Sequence, residues 1–211
     1  MLRRIDLRDK QGPVDLHLPR PDFDGQAPIS DVRKIISGVR EGGDASIREL
    51  TKKFDSVDVV QPRVSQNELE EAWRSLGSEL AEALEFAHDR ILHFHQQEAS
   101  QSHEVTQDDI KVTSVPQPVE RAGLYVPGGL AVYPSTVLMT ALPAKAAGVD
   151  ELVLCTPPNP SGDIEQVVLA AAYLCGVSEV YKIGGVQALS LIHISEPTRP
   201  RLSSYAVFCL K

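Results

Sequence analysis

Two short glycine-containing segments constrain the fold of this 211-residue chain more than any other feature. One reads Gly-Leu-Tyr-Val-Pro-Gly-Gly at residues 123–129, and the other reads Gly-Gly-Val-Gln-Ala at residues 184–188. Each follows an apolar, β-branched run and opens a stretch with helical character, as expected where a strand turns into a helix. Backbone N–H groups at such a turn can face an anion, so two of them in one segment indicate a nucleotide site.

The sequence around these turns alternates between short apolar runs and helical patterns. Strands are predicted at residues 110–115, 122–126, 151–155 and 180–183, and helices at 134–148 and 163–176. Asp163 is expected to cap the second helix, and Pro143 should kink or split the first. Alternating elements with short links form parallel βαβ units. We therefore predict an α/β fold, in which an N-terminal helical segment precedes Rossmann-like parallel βαβ units that are incomplete because the chain is truncated.

The preceding segment has the periodicity of helices rather than strands. A helix that begins near Ser30 is expected to end at residues 42–43, where a second helix begins. Ser65 and Glu68 have the spacing of a capping box, and the apolar stripe that follows it predicts a longer helix with a break at Gly77. These helices are expected to form a layer against the core.

The last part of the chain, residues 189–211, has no clear period of strand or helix. Residues 189–199 match, codon for codon, a translated transposase sequencing adaptor, and residues 204–211 match a translated flow-cell primer followed by adenines. Two matches in the right order and spacing indicate a non-native tail. We therefore exclude these residues from the prediction of the fold and of the site.

Composition excludes several classes of function. A net charge of −8 disfavours binding to nucleic acid or to an anionic membrane. No apolar run is long enough to span a bilayer, and no signal-peptide core is present, so we expect a cytoplasmic protein. Cys155 lies in an apolar run and Cys175 at a helix end, so both are predicted to be buried thiols. The spacing of His88, His93 and His95 does not suit a metal site.

Three polar residues near the glycine turns could contact a ligand. Tyr125 can stack its ring on a base and hydrogen-bond through its hydroxyl, and Gln187 can both donate and accept. Ser135 could meet a phosphate at the start of a helix. Each also has a purely structural explanation: Tyr125 packing in the core, Gln187 facing solvent and Ser135 capping its helix. Neither turn is a Gly-x-Gly-x-x-Gly fingerprint, and no hydrolytic triad or general base is visible.

The sequence resembles the N-terminal part of the histidinol dehydrogenase family over residues 1–188. The resemblance rests on residues 43–55, on residues 90–95 and 123–129, and most specifically on residues 134–149, 156–158 and 184–188. The family's second glycine turn usually has alanine where this chain has Val186, which leaves Gln187 in place. The resemblance implies that Tyr125 and Gln187 contact NAD.

The family's activity and partners follow from the same resemblance. It implies a homodimeric, NAD-dependent enzyme that requires Zn²⁺ and oxidises L-histidinol to L-histidine through the aldehyde in histidine biosynthesis. The family's zinc ligands, its Glu-His acid/base pair and its substrate-binding serine match no residue of this chain. We therefore predict no catalytic and no metal-ligating residue here, and expect the chain alone to be inactive.

We divide the chain into four segments. They are an N-terminal arm (1–28), the helical part of the first domain (29–108), the Rossmann-like NAD-binding segment (109–188) and the non-native tail (189–211). Two alternatives to histidinol oxidation remain open. One is a related dehydrogenase of another small alcohol, such as a sulfonated diol, and the other is a non-catalytic nucleotide-binding module.

Overall fold

The computed structural model describes residues 6–7, 29–98, 102–129, 131–192 and 207–210. Nearly all of the predicted arm, residues 1–28, therefore lies outside the described residues. The helices are α1 (Ile29–Phe54), α2 (Gln66–Arg74), α3 (Ser78–Glu98), α4 (Pro134–Ala146), α5 (Gln166–Leu174) and α6 (Gly185–Ile192). The strands are β1 (Arg63–Val64), β2 (His103–Gln107), β3 (Ile110–Ser114), β4 (Arg121–Tyr125), β5 (Glu151–Thr156), β6 (Glu179–Lys182) and β7 (Val207–Leu210).

Local sequence signals set the ends of most helices. Gly43 has φ 54° and ψ −137° and kinks α1 where two helices were predicted to meet. The Ser65 side chain accepts from the Glu68 N–H, and the Glu68 carboxylate accepts from the Ser65 N–H, which confirms the capping box of α2. Gly148 and Gly176 follow α4 and α5 with φ of 88° and 64°, the left-handed conformation in which glycine is favoured.

One local prediction is wrong in part and another is wrong. Pro143 does not split α4, which runs unbroken from Pro134 to Ala146; Pro143 lies near its end, where the missing N–H leaves only the carbonyl of the exposed Met139 without its helical partner. Asp163 does not cap α5: Glu165 holds the N-cap position, and the Asp163 carboxylate instead accepts from the Lys182 ammonium at 2.8 Å. An ion pair with the neighbouring strand therefore replaces the predicted cap.

The main sheet has five strands in the order β1-β6-β5-β4-β7. β4, β5 and β6 run parallel, with Tyr125 opposite Cys155 and Cys155 opposite Tyr181. The α/β fold and its parallel βαβ units are thereby confirmed. β1 pairs antiparallel with β6, and β7 pairs antiparallel with β4 at the opposite edge. Neither edge strand was predicted, since β1 is two residues long and β7 lies within the predicted tail.

Helices cover both faces of the sheet. On one face, Leu124, Leu154 and Val180 are buried in a core that α2, α3, α4 and α5 complete. On the other face, Cys155 and Ile183 are buried with residues of α1 and α6. A parallel sheet needs cover on both sides, and here the helical segment before the sheet supplies part of each layer.

A separate hairpin precedes the sheet. β2 and β3 pair antiparallel through a turn at Asp108 and Asp109, both with positive φ. The predicted boundary between residues 108 and 109 therefore falls inside this turn, and β2 was missed. No described helix is long and apolar enough to cross a membrane.

Candidate functional site

The carboxyl ends of three parallel strands meet at one edge of the sheet. Along β4, alternate residues point to opposite faces, so Leu124 enters the core beneath α4 while Tyr125 points to the side of α1 and α6. Tyr125 is therefore directed towards the first turn of α6, which starts where β6 ends. In an open parallel sheet, this edge is where ligands bind.

Tyr125 joins the turns that follow β4 and β6. The Gly185 N–H donates to the Tyr125 hydroxyl oxygen over 2.9 Å, which leaves the hydroxyl proton available to donate in turn. Burial raises the pKa of Tyr125 above its usual 10, the nearby Asp55 charge raises it further, and the Gly185 hydrogen bond partly opposes both. The phenol therefore stays protonated at neutral pH and can serve as a donor.

The turns approach each other closely because glycine occupies two key positions. A Cβ on Gly128 would lie 2.4 Å from Pro157 Cγ, and a Cβ on Gly184 would lie 2.6 Å from Pro157 Cβ. Pro157 follows β5, so its ring lies between the two glycine turns. Any side chain at either glycine would displace it.

A cavity of about 520 Å³ opens at this junction. Tyr125, Gly128, Pro157 and Gly185 line it, together with Tyr133 before α4. Its size lies within the usual range of small-molecule sites, and its walls are mostly apolar with few polar groups. The position, size and lining suit a small-molecule ligand.

Asp55 contributes a carboxylate to the same cavity. It follows the last residue of α1, and its backbone N–H donates to the Thr51 carbonyl over 2.8 Å. The Oδ2 atom is buried, and the described part of the chain offers it no hydrogen-bond partner. Desolvation accordingly raises the pKa of Asp55 above its usual 3.8.

Tyr125 and Gln187, the two residues predicted to contact the cofactor, both lie near the turn after β6, but they differ in their access to the cavity. Tyr125 lines the cavity, whereas Gln187 is only 1% exposed and lies in the first turn of α6 behind Gly185. A Cβ on Gly185 would lie 3.0 Å from Gln187 Oε1. Ser135 is exposed in the first turn of α4 and does not cap it, because Tyr133 is the N-cap residue. Their roles towards NAD remain predictions.

Other residues considered from the sequence lie away from this cavity. Cys155 and Cys175 are free and buried, as predicted, and burial raises the pKa of each thiol to about 12. His88 and His95 contact the carboxylates of Asp89 and Glu98 on α3. These cysteines and histidines contribute nothing to the cavity.

Sequence reasoning gave no role to Asp55 or Pro157. Both belong to stretches on which the family resemblance rests, residues 43–55 and 156–158. Nothing in the sequence near Asp55 indicates a ligand, since it follows an ordinary amphipathic helix. Only the packing of α1 against α6 brings its carboxylate to the turn after β6.

An open parallel sheet with helices on both faces and a cleft at its carboxyl edge defines a Rossmann-like α/β protein. Comparison with known proteins identifies the family: the histidinol dehydrogenase family model matches residues 18–201, and the chain belongs to that family. The matched range runs past Ala188, the last residue before the predicted tail.

Individual relatives agree with the family match. The chain is 42% identical over 176 residues to the histidinol dehydrogenase of Parasynechococcus marenigrum, covering 80% of this chain and 39% of the relative. It is 43% identical over 183 residues to that of Methanothermobacter thermautotrophicus, covering 86% and 43%. The crystal structure of histidinol dehydrogenase from Elizabethkingia anophelis superposes with a TM-score of 0.75 at 33% identity, over 81% of this chain and 40% of that one. The chain thus spans about two fifths of the length of these relatives.

Proposed function

We propose that this chain is the NAD-binding part of an enzyme that oxidises L-histidinol to L-histidine through the aldehyde, in histidine biosynthesis. The observation that carries the proposal is the cavity at the carboxyl edge, where the Gly185 N–H and the Tyr125 hydroxyl join two strand-end turns at 2.9 Å. Family membership supports the choice of substrate and reaction. We further propose that the complete protein is a cytoplasmic homodimer.

The residues present fit NAD. Gly128 and Gly184 let the turns after β4 and β6 pack directly against Pro157, which brings the walls of the cavity together. The Tyr125 ring and Pro157 provide apolar walls, and the Tyr125 hydroxyl provides a donor. NAD, when bound, accepts a hydride from the substrate. We propose that Tyr125 orients the cofactor and that Gln187, in the first turn of α6, also contacts it.

A second element of the cavity suits the phosphates of a dinucleotide. Tyr133, the N-cap of α4, makes no side-chain cap, and Pro134 occupies the first turn. Pro134 has no N–H, and the Thr136 N–H donates to the Tyr133 carbonyl over 3.1 Å, so this assignment rests on the helix dipole, which favours negative charge at this end of α4. The Gly185 N–H of α6, by contrast, is already bonded to Tyr125.

The described residues do not fit zinc. No group of three or more His, Cys, Asp or Glu within the described part of the chain could hold a metal ion. We therefore derive no step through zinc from these residues. We propose that the metal and the catalytic acid/base groups are bound by parts of the complete enzyme that this chain does not contain.

Calorimetric titration of the 211-residue chain with NAD tests the proposal. We expect saturable binding, and we expect Tyr125→Phe to weaken it about tenfold, because the ring is kept while the hydroxyl and its bond to Gly185 are lost. Tyr173→Phe makes the same chemical change on α5, outside the cavity lining, and should leave the affinity unchanged. Absence of saturable NAD binding by the folded chain, or equal effects of the two substitutions, would overturn the proposal.

A further inference from the structure

Asp55 is the one carboxylate of the cavity that has a buried oxygen atom without a hydrogen-bond partner in the described structure. We propose that Asp55 accepts hydrogen bonds from ribose hydroxyl groups of the bound dinucleotide and so acts as a cofactor-specificity residue. This inference rests on the proposed function, since it assigns a part of the same cavity to a part of NAD.

The Asp55 carboxylate lacks charge compensation. Among the described residues, no lysine or arginine lines the cavity, and the other acidic residue there, Glu165, has the same charge and accepts from Asn159 instead. Asp55 is half-buried, but its Oδ2 atom is buried without a partner, and native structures rarely leave a buried polar atom so. The carboxylate therefore calls for donors that a ligand brings.

The carboxylate lies beside the turn after β6. Its Oδ1 atom lies 3.4 Å from the point that a Cβ on Gly184 would occupy, so the carboxylate rests against the backbone of the turn after β6. The Asp55 N–H is held by the Thr51 carbonyl at the end of α1. The backbone of Asp55 is therefore held at the end of α1, with its carboxylate beside the turn that a ligand in the cavity would meet.

The charge of Asp55 selects the type of ligand group. A phosphate would meet an uncompensated negative charge, and the nearest first-turn amide, that of Gly185, is already bonded to the Tyr125 hydroxyl. A metal ion would need further ligands, and the described residues provide no such group. Neighbouring hydroxyl groups can donate to the two oxygen atoms of a carboxylate, and a dinucleotide has them only on its riboses.

Binding of four nucleotides to the 211-residue chain tests the assignment. The ligands are NAD, NADP and the two NAD analogues that lack the 2′-hydroxyl on one or the other ribose. We expect the unmodified chain to prefer NAD over at least one analogue by about tenfold. We expect Asp55→Ala to weaken NAD binding by about tenfold and to abolish that preference. If the ribose is that of adenosine, the preference for NAD over NADP should fall as well.

Two variants control for folding and for charge. Asp55→Asn keeps the shape and one acceptor, so it should retain part of the preference if the chain remains folded by circular dichroism. Glu41→Gln removes a negative charge at an exposed position of α1 outside the cavity lining and should leave the preference unchanged.

The outcomes separate the two proposals. If the chain binds NAD with the expected dependence on Tyr125 but Asp55→Ala keeps both affinity and preference, only the assignment of Asp55 fails. If the folded chain does not bind NAD, the proposed function fails and this inference fails with it.

Discussion

Single residues determine how closely the strand-end turns approach each other. Gly184 meets Pro157 so tightly that an added Cβ would lie 2.6 Å from its side chain and 3.2 Å from its Cα. The backbone of Pro157 follows the central strand of the parallel set and has little room to shift. Glycine is thus required here for packing, independently of any ligand.

We expect Gly184→Ala to lower the free energy of unfolding by about 1–3 kcal/mol, the usual cost of overpacking. Gly38→Ala is the matched control, because Gly38 lies within α1 and an added Cβ would meet nothing within 4 Å. Its substitution should raise the free energy of unfolding by about 0.5–1 kcal/mol through helix propensity. Urea denaturation followed by circular dichroism measures both, and an unchanged stability of Gly184→Ala would contradict the packing described.

At the scale of elements, α2 depends on the capping box at its start. The Ser65 N–H donates to Glu68 Oε2 over 2.7 Å, and the Glu68 N–H donates to Ser65 Oγ over 3.2 Å. We expect Ser65→Ala to lower the free energy of unfolding by about 1 kcal/mol, because an N–H group of the first turn loses its acceptor. Ser135→Ala, in the first turn of α4, removes no cap and should stay within about 0.5 kcal/mol. Equal effects of the two substitutions on thermal or urea unfolding would show that the box contributes nothing.

The elements that the sequence predicted are those with local signals. The capping box, the kink at Gly43 and the glycine turns at residues 123–129 and 184–188 each depend on neighbouring residues, and the structure has all of them. β1 depends on a distant pairing, Arg63 with Tyr181, and its two residues carry no pattern. The same limit applies to the site: Tyr125 stands in a recognisable turn, whereas Asp55 reaches the cavity only through the packing of α1.

At the scale of the whole molecule, the outer edge of β4 is paired with a segment that we predicted to be non-native. β7 (Val207–Leu210) pairs antiparallel with β4, with Leu210 opposite Arg121. An exposed edge strand offers backbone N–H and C=O groups, and pairing with it depends little on the sequence of the incoming segment. The presence of β7 at this edge therefore does not argue that residues 189–211 are native.

We accordingly expect the gene to continue, across the codons for Gln187 to Ser190, into a sequence other than residues 189–211. Long-read sequencing of the genomic locus measures this directly, and the translated continuation should contain candidate zinc ligands that the described residues lack. A strand from that continuation could then take the place of β7 at the edge of β4, because the four residues of β7 occupy that edge through backbone pairing. If the genome instead encodes residues 189–211 followed by a stop codon, the tail is native, and a non-catalytic nucleotide-binding module would explain the cavity better than an enzyme would.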